Sequence, residues 1–166
     1  QLSLRGGEPL MIKSAKEREA IRREIGEYGK KLMLSSRVVD LCEQEATPKQ
    51  EEFLHRVLTD EIERRERNRK TRLLTKAGFP TLKSFTEYEF TAIRFPPALS
   101  KEELLSINFI GEKKNLVLYG AVGTGKTHMA IALGVLACEA GYKVRFYTVT
   151  ELVLKLSEAY KSGTLE

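Results

Sequence analysis

Cysteine and histidine are scarce in this sequence. Its 166 residues include two cysteines, Cys42 and Cys138, and two histidines, His55 and His128. The cysteines lie far apart and make no metal-binding or redox spacing, which fits thiols kept reduced in the cytosol. The histidines stand alone, and each reads as structural or exposed rather than as a ligand. The longest apolar run of the C-terminal half is too short to span a bilayer. The first nine residues are polar and glycine-bearing, so no signal peptide is visible. A cytoplasmic protein without a membrane partner is expected. Internal repeats and low-complexity segments are also missing.

What is present is ordinary apolar content, 42%, and a basic excess. The net charge is +5 and the isoelectric point is near 9.2. That balance leans towards an anionic partner. The length suits one domain or two small ones. The chain begins with Gln1, and Met11 is a candidate natural start, with residues 1–13 expected to form a flexible tail.

Residues 120–127 read GAVGTGKT and fit G-x-x-x-x-G-K-[ST]. A phosphate chain is best held by several backbone N–H groups pointing inward at once. A backbone can wrap that closely only where side chains are absent, which explains Gly120, Gly123 and Gly125. Ala121, Val122 and Thr124 complete the loop. The helix expected after it offers free N–H groups and a dipole that favours an anion. Lys126 brings a mobile positive charge to the outer phosphates and is the candidate catalytic residue. The Thr127 hydroxyl is placed to ligate Mg²⁺, and His128 closes the candidate cofactor-binding set. The context agrees. Residues 115–119 (NLVLY) suit a buried strand, and a helix-length run from His128 to Ala140 ends at Gly141, a suitable C-cap.

Before the loop, residues 14–34 predict a helix with an apolar stripe of Ile21, Ile25, Tyr28 and Leu32, weakened by Gly26 and Gly29. Residues 35–46 fit an apolar turn or a second helix. The strongest helix starts at Thr47, where Pro48 and Gln50 give first-turn and capping-box signals, and stops at Gly78 before Pro80. Phe53, Leu54, Val57, Leu58 and Ile62 form its expected apolar stripe. Its second half carries Arg64, Arg65, Arg67, Arg69, Lys70, Arg72 and Lys76 against one acid, Glu66. Such a stripe is either a footprint for nucleic-acid phosphates or a solvated face with Glu61 and Glu63 pairing to nearby arginines.

Residues 79–99 are aromatic and proline-bearing and read as a linker. Its rings could stack bases, but connector packing is the favoured reading. Ser100 and Glu103 form a capping-box spacing ahead of a short helix with Leu104, Leu105 and Ile107. After the loop helix, residues 142–149 suit a second strand. A second helix from Glu151 to Tyr160 follows, with Leu152, Leu156 and Tyr160 at helical spacing.

The chain resembles the IstB-like ATP-binding proteins of insertion-sequence transposition, AAA+ relatives of the DnaC-type helicase loaders. The resemblance runs from about Ile25 to Glu166. It rests on EFLHRVLTDEIERRERNRKTRLLTKAGFP (52–80), SFTEYEF (84–90), NLVLYGAVGTGKTHMAIALG (115–134) and GYKVRFYTVTELV (141–153). It implies an α/β architecture: a helical N-terminal domain (14–78), the linker (79–99) and the start of a P-loop, AAA+ type parallel-sheet ATPase domain (100–166). It also implies ATP, Mg²⁺, double-stranded DNA, self-association and a partner transposase. A P-loop ATPase needs an acid at the end of a further strand, and no apolar run after residue 127 ends in Asp-Asp or Asp-Glu. The expectation is therefore a fragment of a parent ATPase, competent for binding only. A helicase loader with the same ATP site, or a non-catalytic DNA- or partner-binding fragment, are the alternatives.

Overall fold

A computed structural model of the chain describes residues 14–86, 88–91, 93–97 and 99–164. The predicted tail over 1–13, with Met11, lies outside them. Among the described residues there are seven helices, and the chain divides into two compact units, one running to Arg67 and the other from Asn68. The division falls inside the longest helix. No helix of the described residues is long and apolar enough to cross a membrane.

The first unit holds α1 (Ala15–Lys31), α2 (Arg37–Gln44) and most of α3 (Pro48–Ala77). A capping box starts α1: Ser14 accepts the Glu17 N–H, and Glu17 accepts the Ser14 N–H at 2.7 Å. These bonds satisfy donors that a helix start leaves without intrahelical partners. The expected stripe is realised, with Ile25 fully buried against Cys42 and Leu58 while Ile21, Tyr28 and Leu32 pack around them. Gly26 marks where α2 comes close, since a Cβ there would lie 3.3 Å from Val39. The ambiguous segment 35–46 resolves as α2, whose buried residue is Cys42.

The start of α3 carries half of the expected box. The Gln50 side chain accepts from the Thr47 N–H at 2.8 Å and from its hydroxyl at 2.9 Å. The expected stripe on α3 needs correction. Leu58 is buried and Leu54 half-buried, but Phe53 and Val57 are 60% and 45% exposed. The inward face instead includes Glu51, which is 1% exposed. Arg18 reaches its carboxylate with bonds of 3.0 and 2.9 Å, and Arg22 adds one of 2.8 Å. A buried carboxylate is tolerable only when paired this way.

The second unit holds the end of α3, then α4 (Lys101–Ser106), α5 (Asn108–Gly111), α6 (Lys126–Glu139) and α7 (Val149–Lys161). Leu104, Ile107, Met129, Leu133 and Ala137 form its core. Phe85, Tyr88, Phe90 and Phe95 of the linker pack on that core and on one another, with Tyr88 and Phe90 ring centroids 5.1 Å apart. The predicted box of Ser100 and Glu103 is complete at the start of α4. Helix α6 ends in a Schellman arrangement. Gly141 takes φ +92°, its N–H donates to the Cys138 carbonyl, and the Tyr142 N–H donates to that of Ala137.

The two predicted strands are not strands among the described residues. Residues 115–119 and 143–147 alternate in exposure as strands do: Leu116, Leu118, Val144 and Phe146 are half-buried, while Val117, Tyr119, Lys143, Arg145 and Tyr147 are exposed. No described segment forms a ladder with either one, and a strand is defined by that pairing. The second segment also ends earlier than expected. Thr148 caps α7 in a box with Glu151, so Val149 is already helical. Leu152, Leu156 and Tyr160 do share helical spacing, but none is buried.

Candidate nucleotide loop and basic helix

Three glycines shape the 120–127 loop. Gly120, Gly123 and Gly125 all have positive φ, at 148°, 83° and 80°. A side chain at any of them would be strained, so the glycine spacing in the motif is a backbone requirement. Gly125 is the N-cap of α6 in the left-handed region. The loop closes on the Ala121 carbonyl, which accepts the Thr124 hydroxyl at 2.8 Å and Lys126 Nζ at 2.5 Å. The same ammonium lies 3.4 Å from Thr124 Oγ1. Ala121, Val122, Gly123, Thr124 and Thr127 are exposed, and Gly125, Lys126 and His128 half-buried.

The start of α6 differs from those of α1, α4 and α7. Each of those helices has a capping box and an acid in its first turn. In α6 no side chain caps the N-terminus and no acid sits in the first turn. Its first N–H groups and its positive dipole end are thus left to whatever anion approaches. Thr127, at the second helical position, makes no side-chain hydrogen bond among the described residues. Its hydroxyl can serve as one ligand to a Mg²⁺ ion, which typically takes its other ligands from phosphates and water.

His128, one of the candidate cofactor residues, is engaged elsewhere. Its Nε2 lies 2.8 Å from the Ser84 carbonyl oxygen. Its ring is 5.0 Å from that of Tyr88, whose hydroxyl donates to the Gly125 carbonyl at 3.5 Å. The motif alone gave no sign of these linker residues. An aromatic run ahead of a glycine loop is the signal that could have suggested them.

On α3, all seven predicted basic residues are exposed. Arg64 and Arg65 both pair with Glu61, at 2.7 Å each, and Arg67 pairs with Glu63 at 3.3 Å. Hydrogen bonds from Arg65 and Arg64 hold the Glu61 carboxyl below the usual carboxylate range. Arg69 donates to the Gly141 carbonyl at 3.4 Å. Lys70, Arg72 and Lys76 have no ion-pair partner among the described residues. The stripe is therefore divided: its first three arginines are partly neutralised, Arg69 is bonded to a carbonyl, and Lys70, Arg72 and Lys76 stand open.

A glycine loop of this form, opening into an uncapped helix, is the arrangement of the P-loop class. The chain belongs to the IstB-like ATP-binding protein family, whose model matches residues 33–166. It is 36% identical over 115 residues to a protein of Geobacillus stearothermophilus described as the putative ATP-binding protein of insertion sequence IS5376, covering 69% of this chain and 46% of that one. It is 35% identical over 138 residues to the corresponding IS21 protein of Pseudomonas aeruginosa, covering 80% and 51%. An IS21-like ATP-binding protein of Bacteroides fragilis (strain YCH46) is 32% identical over 150 residues, covering 87% of this chain and 75% of that protein. The chain spans about half the length of the first two relatives.

Proposed function

We propose that this chain binds ATP at residues 120–127 and serves DNA transposition as part of an ATP-dependent helper of a transposase. The observation that carries the nucleotide half is the start of α6, which has no cap, no first-turn acid and three positive-φ glycines before it. The amides of the loop and first turn would hold the triphosphate. Lys126 would exchange its bond to Ala121 for the outer phosphates, and Thr127 would hold Mg²⁺. When bound, the metal would supply positive charge to offset that of the phosphates. The relatives named for insertion sequences support the transposition half. Extended residues 115–119 and 142–147 are the proposed strands of a parallel sheet of AAA+ type, built with further chain or with other copies.

Lys70, Arg72 and Lys76, joined by the paired arginines, are the proposed contacts to double-stranded DNA. Their role would be backbone attraction rather than base reading. The proposed organisation is a helical domain over 14–78, a linker over 79–99 and an ATPase part from 100 onward, with self-association in the parent protein.

The test is titration of Mg-ATP into the chain and into Lys126→Ala. Loss of binding in a variant that keeps its helical content supports the assignment, and equal binding by both proteins refutes it.

A further inference from the structure

We propose that His128 and Tyr88 are positioning residues of the nucleotide loop, through which Ser84 and Tyr88 of the linker fix the first turn of α6 for phosphate. This rests on the nucleotide reading above. The two contacts reach the same turn from outside the loop. Ser84 offers a carbonyl, which can only accept. His128 Nε2 must therefore carry the proton in that 2.8 Å bond. The Gly125 carbonyl accepts twice, from the Met129 N–H at 2.9 Å and from the Tyr88 hydroxyl at 3.5 Å. Tyr88 thus touches the acceptor of the first hydrogen bond of α6.

The packing has the same sense. A Cβ on Gly125 would stand 3.1 Å from Tyr88 Oη and 3.4 Å from its ring. Gly125 therefore needs to be glycine twice over, for its φ of +80° and for the approach of Tyr88. Met129 fastens the inner side of the turn to the core. His128 and Tyr88, in ring contact with each other, fasten it to the linker. The loop before the turn is exposed from Ala121 to Thr124 and closes on itself through Ala121. A phosphate cradle works only when its donors are held within about half an ångström of their places. Here the linker supplies part of that hold.

A ring packed for burial alone would not need its hydroxyl, and a surface histidine would not need its donor. The experiment separates these roles. Binding of Mg-ATP and of inorganic tripolyphosphate is measured on the whole chain, alongside His128→Leu, His128→Gln and Tyr88→Phe. His128→Leu should weaken both ligands by the same factor, about tenfold, and Tyr88→Phe by about threefold. His128→Gln keeps an N–H donor and should recover most of the loss. Tyr88→Phe preserves shape, so its effect can be read even if His128→Leu fails to fold. Unchanged tripolyphosphate binding in Tyr88→Phe and His128→Leu overturns the inference, as does a loss that glutamine leaves unrepaired. A loss confined to ATP also overturns it, because the residues would then touch the nucleoside. Wild-type protein that binds neither ligand removes the nucleotide reading itself.

Discussion

The backbone N–H of Phe146 donates to the carbonyl of Ala77 across 2.8 Å, and the rings of Phe79 and Phe146 lie 6.1 Å apart. Ala77 is the last residue of α3, and Phe146 sits in the extended segment that follows α6. The stop of the long helix is therefore also a docking point. Gly78, at φ +73°, turns the chain so that Phe79 can reach α6 and Phe146 together.

Gly134 of α6 lies under that contact. A Cβ there would meet the Phe79 ring at 2.7 and 2.8 Å. Alanine is the better helix former by about 1 kcal/mol, yet Gly134→Ala should destabilise the protein by about 1–3 kcal/mol through overpacking. Urea unfolding measures this. Adding Phe79→Leu should return part of the loss, and a stabilised single variant would show that Phe79 moves aside freely.

The ion cluster of the first unit makes stability depend on pH. Burial pushes the Glu51 carboxyl up, but the hydrogen bonds from Arg18 and Arg22 outweigh it, so the group sits below its usual 4.5. A carboxyl depressed in the folded state stabilises the protein above its unfolded value, and that contribution is lost as pH falls through the folded one. The melting temperature should therefore drop on acidification below about 4.5, and less steeply in Glu51→Gln. At neutral pH, Glu51→Ala should cost about 1–3 kcal/mol, because the half-exposed arginines can turn to water. Parallel acid profiles for wild type and Glu51→Gln would contradict this.

Along α3, the two halves of the basic stripe should respond in opposite ways. Replacing Lys70 and Arg72 with glutamine should weaken binding to any duplex DNA and lower the salt slope by about one for each phosphate that is no longer neutralised. Glu61→Gln should strengthen binding, since it releases Arg64 and Arg65 together. Fluorescence anisotropy at several salt concentrations measures both. Identical slopes in the wild type and both variants would assign the stripe to solvent.

Much of the helical structure was legible because its signals are local. Ser100 with Glu103, the apolar stripe of α1 and the Thr47-to-Gly78 bounds of α3 all depend on neighbours within a few residues. Glu51 was not legible, since its partners Arg18 and Arg22 come from another helix. Phe53 and Val57 look like core residues by spacing, but the side of α3 they occupy has little packed on it. The strands failed for a related reason. Periodicity can be read in one segment, and the alternation of 115–119 is present, but a ladder needs a second segment. At the candidate site, the glycines and Lys126 were evident from the motif. The bond from His128 to Ser84, 44 residues away, was not.

The central claim is that residues 120–127 hold a triphosphate, and the most direct measurement is calorimetric titration of Mg-ATP into the intact chain and into Lys126→Ala. The account predicts saturable one-to-one binding by the chain, lost in a variant whose circular dichroism is unchanged. Equal binding by both proteins, or none by a folded wild-type chain, would contradict it.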